Sequence, residues 1–168
     1  MISLFLAVVF TTAQGDSKYK YTKSLLEGKW YVVATNYSMW LNSKNTNPYF
    51  NYTNFREQNR KLKFDDCVTY TKSNTEKKIK GRETQKNDNE LKFVWRGKGL
   101  LGMFKSKWRV IATDKEGRWI AIYFSKTVVS PEGVDIIARK KNLSDNEIKG
   151  IIEHIDKAYI KKPIVILK

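Results

Sequence analysis

Hydrophobic and polar residues alternate in short runs between positions 30 and 139, as they do in β-strands that have one buried face. In the run from 61 to 71, apolar side chains share one face, and Asp66 is the charged residue that interrupts it. Polar turns separate the runs at about 8 to 12 residues, the spacing of an all-β barrel or sandwich. The pattern predicts eight strands, at positions 29–37, 49–56, 61–71, 77–84, 90–95, 105–113, 118–126 and 134–139.

The seventh run carries apolar side chains on both faces, so both faces must be covered. A helix after the eighth run is expected to provide the outer cover. Ser144 and Glu147 form a capping box at its start, and Pro163 ends the helical stretch. Residues 164–167 are short and apolar, which predicts a final edge strand. The apolar stripe of the helix consists of Ile148, Ile151, Ile152, Ile155 and Tyr159.

Three short motifs accompany these predicted elements. Gly28 and Trp30 belong to a Gly-Lys-Trp sequence at the start of the first strand. Thr113 and Asp114 lie between the sixth and seventh strands, and Arg139 ends the eighth. In these motifs and in the order of its elements, the chain resembles the lipocalin family from about residue 25 to residue 167.

The resemblance implies an all-β fold, an eight-stranded antiparallel up-and-down β-barrel of the calycin type. The C-terminal helix would pack outside the barrel, and a short last strand would follow it. The resemblance also implies that the three motifs meet at the closed end, where Arg139 packs near Trp30 and a cation over an aromatic ring seals the barrel. Their expected role is structural.

The same resemblance implies a binding or transport protein and no enzyme, with a small hydrophobic ligand such as a fatty acid or lipid in the barrel. An acidic head on that ligand would be attracted to lysines at the open mouth. A slip of one residue would turn any predicted inward side chain outward. The candidate ligand-binding residues, on inward faces or at the mouth, are Trp40, Phe64, Tyr70, Phe93, Trp95, Leu100, Phe104 and Tyr123.

Residues 1–15 combine an apolar stretch with small residues and predict a cleaved signal peptide, followed by one domain over 16–168. A secreted protein is therefore expected. The single cysteine, Cys67, excludes an intramolecular disulfide and leaves open whether it pairs between chains. The sequons at Asn36, Asn51 and Asn142 would be glycan acceptors on a eukaryotic secretory route.

The net charge of +15 leaves a second interpretation open. A basic exterior attracts anionic membranes or acidic polymers, so the chain could be an adhesion or scavenging protein with a filled barrel. Binding that collapses at high salt, with no small molecule bound, would favour this alternative. The basic residues are spread over separate segments, and no nucleic-acid-binding motif is present.

Groups for catalysis or metal binding do not converge in the sequence. His154 is the only histidine and lies on the helix flank, while Asp65 and Asp66 are adjacent and point to opposite faces of a strand. The stretch from Gly97 to Gly102 matches a nucleotide-binding pattern but leads into a strand instead of a helix. No metal-ligand spacing occurs, so no cofactor and no metal are expected.

Overall fold

The computed structural model describes residues 13–86, 91–128 and 131–167. It contains one antiparallel sheet, two α-helices and two short 3₁₀ turns. The helices are α1 (Ala13–Leu26) and α2 (Asp145–Glu153), and the 3₁₀ turns are Gly99–Met103 and Lys157–Tyr159. The strands are β1 (Gly28–Thr35), β2 (Asn45–Gln58), β3 (Lys61–Lys72), β4 (Thr75–Gln85), β5 (Lys92–Gly97), β6 (Lys105–Thr113), β7 (Trp119–Phe124), β8 (Gly133–Ala138) and β9 (Val165–Ile166).

The first eight strands close into an up-and-down barrel, which confirms the predicted fold. Each strand pairs with the next, and β1 pairs with both β2 and β8. The last strand, β9, pairs with β1 at Ala34 and Thr35, beyond the point where β2 has left it. Because the barrel is closed, β9 is a short edge strand. Alternate side chains along each barrel strand point into the barrel and out of it.

Two hydrophobic cores lie on opposite sides of β7. Ile120 and Ile122 point into the barrel, whereas Ala121 points outward into a cluster that includes Ile148 and Ile151 of α2. Helix α2 therefore covers the outer apolar face of β7, as the sequence predicted. The capping box of Ser144 and Glu147 is present, although α2 ends at Glu153 and Tyr159 belongs to the following 3₁₀ turn.

A helix that the sequence did not predict precedes the barrel. Helix α1 carries few apolar residues, so no helical stripe marks it, but Leu25 and Leu26 in its last turn are buried at the closed end. The predicted signal peptide lies mostly outside the described residues, and α1 begins within its last three positions. Neither described helix has the length and apolar character needed to span a membrane.

Candidate functional site

The closed end of the barrel is built around Trp30, which is completely buried. The guanidinium carbon of Arg139 lies 3.6 Å from the centre of the Trp30 ring, and the Trp30 indole N–H donates to the Leu26 carbonyl at 2.7 Å. Arg139 also donates to the Leu25 carbonyl at 3.0 Å. These contacts confirm the predicted packing of Arg139 on Trp30 and show that α1 is held against the plug.

Two further motif residues shape the turn between β6 and β7. The Thr113 hydroxyl donates to the Trp119 carbonyl at 2.8 Å, and the Asp114 carboxylate accepts the Arg118 backbone N–H at 2.6 Å. Partial burial acts to raise the pKa of Asp114, but the hydrogen bonds from Arg118 outweigh it and hold that pKa below its usual value. Gly28 has a φ of 100°, which favours glycine at the entry to β1. All of these contacts are structural.

Stacked aromatic side chains fill the barrel above the plug. Phe64 and Phe93 meet edge to face with ring centres 5.4 Å apart, and Phe93 stacks on Trp108 at 4.5 Å. Trp108 in turn lies nearly parallel to Tyr52, with ring centres 5.9 Å apart. These rings make the lower half of the barrel a packed floor.

A cavity of about 140 Å³ lies above this floor. It opens towards the end of the barrel that carries the β1–β2, β3–β4, β5–β6 and β7–β8 connections. Most of its wall is aromatic or aliphatic, but three carboxyl groups also contribute. The principal lining side chains are Trp40, Phe50, Tyr52, Trp95, Trp108 and Phe124, with Asp66, Glu83 and Asp135.

Asp135 stands at the upper part of the cavity with both carboxyl oxygens hydrogen-bonded. The Thr35 hydroxyl donates to one oxygen, and the Trp40 indole N–H donates to the other at 3.0 Å. Burial raises the pKa of Asp135 to about 7, although both hydrogen bonds act in the opposite direction. Asp135 therefore fixes Trp40 against the cavity wall.

Asp66 and Glu83 lie deeper, on the adjacent strands β3 and β4. The indole of Trp95 hydrogen-bonds Asp66 and that of Trp108 hydrogen-bonds Glu83, yet one oxygen of each carboxyl has no partner. Burial raises the pKa of Asp66 to about 8 and also raises the pKa of Glu83 well above its usual value, with the neighbouring Asp66 adding to it. Two carboxyl groups are thus buried side by side with unused acceptor atoms.

Gly81 makes room for one of these indoles. A Cβ atom at position 81 would lie 2.0 Å from Nε1 of Trp95, so the indole lies directly on the backbone of β4. This close approach is what allows Trp95 to reach Asp66, which faces Gly81 across the strand pair. A glycine inside a strand is the only sequence signal of this arrangement.

The structure places the predicted ligand-binding residues in four different surroundings. Trp40 and Trp95 line the cavity, and Tyr70 is half-buried with its ring centre 5.7 Å from that of Trp40. Phe64 and Phe93 belong to the packed floor. Leu100 and Phe104 are exposed on the β5–β6 connection.

The inward placement predicted for Tyr123 is wrong. Tyr123 points out of the barrel, packs on Tyr159 with ring centres 5.1 Å apart and hydrogen-bonds the Glu132 carboxylate. Both faces of β7 are apolar, so its sequence does not distinguish inside from outside. Trp40, on the β1–β2 connection, is only 5% exposed and forms part of the cavity wall.

Sequence reasoning missed the polar part of the site. Asp66 interrupted the apolar face of its run and Asp135 interrupted the apolar run 133–138, and these were the available signals for buried carboxyls. Glu83 lies in a polar run with no such contrast and meets Asp66 through the pairing of β3 with β4, whereas Asp135 joins them only when the barrel closes. No described His, Cys, Asp or Glu side chains form a group of three that could hold a metal ion.

Two larger depressions lie outside the barrel wall, each with a volume of about 400 Å³. One includes Lys29 and Tyr49, and the other includes Arg118, Trp119 and His154. Neither is lined by a buried polar atom that lacks a partner, whereas the barrel cavity has two such atoms. The barrel cavity is therefore the better candidate site.

A closed antiparallel barrel with one plugged end and a lined cavity towards the other defines the class of small-molecule-binding barrels. The chain belongs to the lipocalin family, because the model of the lipocalin-like domain matches residues 24–166. This family is generally one of binding and transport proteins.

A solved structure of the siderocalin Ex-FABP, described as functioning through dual ligand specificities, has a similar fold. Its TM-score is 0.59 at 15% identity, and the match covers 85% of this chain and 93% of that one. At this identity the likeness supports the fold alone. No curated protein matches the chain.

Proposed function

We propose that this protein is an extracellular carrier of a small, mainly apolar molecule, which it binds in the barrel cavity. The observation that carries the proposal is the aromatic cavity of about 140 Å³ above a packed floor. This volume is below the roughly 300 to 1,000 Å³ of pockets for drug-sized ligands. A compact ligand therefore fits better than a long-chain fatty acid, and an acidic head would meet three carboxyl groups.

Filling the cavity is expected to abolish ligand binding. Ser106 lines the cavity on β6, so Ser106→Leu places an apolar side chain in the ligand's space. Native mass spectrometry of protein from its own source should detect one bound small molecule. The molecule, once extracted, should rebind to the wild-type protein and not to the Ser106→Leu variant.

The matched control is Lys107→Leu, because Lys107 is the next residue on the same strand and is exposed on the outer wall. Its rebinding should equal that of the wild type. Protein that carries no small molecule, or equal rebinding to Ser106→Leu, would contradict carriage in this cavity.

The second candidate function is docking on an anionic membrane through the mouth. Leu100 and Met103 on the β5–β6 connection are 98% and 90% exposed, and Phe104 beside them is 43% exposed. Lys98 and Lys105 flank this tip and are also exposed. Apolar side chains with neighbouring lysines are typical of surfaces that insert into an anionic lipid interface.

One pair of substitutions distinguishes a ligand gate from a membrane contact. The variant Leu100→Ser with Phe104→Ser should leave the unfolding temperature nearly unchanged, since both residues are exposed. A gate predicts faster dissociation of the bound molecule, whereas docking predicts loss of cosedimentation with phosphatidylserine vesicles. Tyr21→Ser provides the control, because Tyr21 is 55% exposed on α1 near the closed end. If neither property changes, both roles of the tip are excluded.

Secretion predicts that the mature chain begins near Gly15 or Asp16, and N-terminal sequencing of native protein checks this. An intact Met1 would contradict cleavage. In the folded protein the Asn36 amide is buried and donates to the Lys162 carbonyl at 2.9 Å, so it does not serve as a glycan acceptor there. Asn142 is exposed, so we expect any glycan preferentially at that sequon.

A further inference from the structure

The charge inside the cavity is opposite to the charge of the whole protein. The chain has 32 lysines and arginines against 17 acidic residues. Nevertheless, no lysine or arginine lines the cavity described above, whereas three acidic residues do. Because an unpaired buried carboxylate is strongly disfavoured, this arrangement calls for a positive or hydrogen-donating partner.

The unused acceptor atoms show where such a partner would bind. Oδ1 of Asp66 and Oε2 of Glu83 are buried without a hydrogen-bond donor, and their side chains belong to residues that are only 4% and 1% exposed. Asp66 pairs with Gly81, and Glu83 pairs with Phe64, so the two carboxyl groups are diagonal neighbours across β3 and β4. In Asp135, by contrast, both oxygens already accept hydrogen bonds.

The remaining wall suits the body of an organic cation. Trp95, Trp108 and Tyr52 surround the two carboxyl groups with aromatic rings. A cation is attracted to the faces of such rings, and a primary ammonium has three N–H donors to satisfy carboxylate oxygens. The apolar remainder of the same molecule would occupy the space below Trp40.

We propose that the cavity binds a small organic ammonium ion, with its nitrogen between Asp66 and Glu83 and its apolar or aromatic body against the indole rings. This inference rests on the proposed function, because it specifies the chemical class of the carried molecule. The described residues provide no group of three ligands for a metal ion, so an organic cation fits the carboxyl pair better than a metal does.

The ionisation of the site gives the proposal a second observable consequence. Burial raises the pKa of Asp66 to about 8, so without a ligand this carboxyl is largely protonated at neutral pH. The other titratable groups that face the cavity are Glu83, Asp135, Tyr52 and Tyr37, and none of them supplies a positive charge. Binding of an ammonium ion is therefore expected to release protons, which calorimetry in buffers of different ionisation enthalpy detects.

Three probes of similar size test the charge preference of the full chain by calorimetry: 2-phenylethylamine, 2-phenylethanol and phenylacetate. Salt at about 0.15 M screens the positive exterior. The amine is expected to bind at least about tenfold more tightly than the alcohol, because a hydrogen bond to a charged group is worth about 1.5 to 3 kcal/mol. Phenylacetate should bind more weakly than either.

Substitution of Asp66→Asn together with Glu83→Gln keeps the shape of the site and removes its charge. The variant should bind the amine no better than the alcohol, should bind the alcohol as the wild type does, and should release no protons. Asp65→Asn is the matched control, because Asp65 is the next residue on β3 and points outward to Lys98 at 3.0 Å. A thermal melt verifies that each variant is folded.

Equal affinity of the wild type for amine and alcohol would overturn the ammonium proposal, as would an amine preference that survives in the double variant. If the alcohol binds as tightly as the amine and Ser106→Leu blocks its binding, the proposed carrier function is supported and only the ammonium proposal fails. If none of the three probes binds, the ammonium proposal fails, and rebinding of the extracted natural molecule decides the proposed function separately.

Discussion

Replacement of Trp30 by alanine is expected to lower the free energy of unfolding by about 3 to 5 kcal/mol, the usual range for removal of a buried aromatic side chain. Trp30 is fully buried, and its indole joins β1 to the end of α1 through the Leu26 carbonyl. Without the ring, the Arg139 guanidinium loses the surface on which it lies. The loss of stability thus has three causes: a cavity in place of the ring, a Leu26 carbonyl without its hydrogen-bond donor, and an Arg139 guanidinium without its aromatic partner.

Denaturant unfolding of the Trp30→Ala and Trp30→Phe variants measures this effect. Trp30→Phe keeps most of the packing and should lose about 1 to 2 kcal/mol, chiefly from the missing hydrogen bond to Leu26. Trp119→Ala is a useful comparison, because Trp119 is a half-buried indole on the outer side of β7 and should cost less. A loss below about 1 kcal/mol for Trp30→Ala would contradict its role as the plug.

Acidification from about pH 8 to about pH 5 is expected to stabilise the protein, contrary to the usual effect of acid. Burial raises the pKa of Asp135 to about 7, while the unfolded chain keeps the ordinary aspartate value of 3.8. Between these values the folded state binds the proton and the unfolded state does not, so stability falls as pH rises. Asp135 alone should contribute about 2 to 3 kcal/mol over this interval.

Burial raises the pKa values of Asp66 and Glu83 as well, so both add to the effect in the same direction. Asp65 and Asp114 act in the opposite sense. Their pKa values are lowered by hydrogen bonds that outweigh partial burial, and their contributions are lost only as the pH falls towards or below their ordinary value of 3.8. Stability is therefore expected to keep rising as the pH falls from about 8 to about 4, where the unfolded chain also binds protons and the two opposing groups of carboxyls balance.

Chemical denaturation at a series of pH values checks this expectation. The Asp135→Asn variant removes one titrating group and should show a shallower fall in stability between about pH 5 and pH 8. Asp65→Asn, on the outer face of β3, should leave the slope unchanged in that interval. A wild-type protein whose stability rises with pH over the same interval would show that the buried carboxyls are not protonated in the folded state.

The sequence predicted the barrel well, because alternation of polar and apolar residues records burial on one face of a strand. The predicted strands differ from the observed ones mainly at their ends, and β2 begins at Asn45, four residues before the predicted start. The plug was also predictable, since the resemblance placed Trp30 and Arg139 together. Helix α1 escaped prediction because its packed face is marked by few apolar residues: besides Leu25 and Leu26 it includes the half-buried Tyr19 and the polar but buried Thr22.

The candidate site was predictable only in part. Aromatic residues at inward positions of single strands, such as Trp95, could be selected from alternation. Asp66 and Glu83 come from the consecutive strands β3 and β4, whereas Asp135 comes from β8, and the three line one cavity only when the barrel closes. Their hydrogen-bond partners are indoles from still other segments, so no local pattern could distinguish a ligand-facing carboxyl from a chance polar residue.

The barrel wall is supported unevenly, since β7 is held between two cores whereas most side chains on the outer face of β4 lie in solvent. A substitution on β7 must satisfy packing on both sides, so this wall resists change in ligand size. A substitution on β4 needs to satisfy only the interior. Substitutions that change the ligand are therefore expected mainly on β4 and its neighbouring strands. Gly81 is important there, because the absence of a side chain at this position lets the Trp95 ring lie against the backbone of β4 and leaves more space for a ligand.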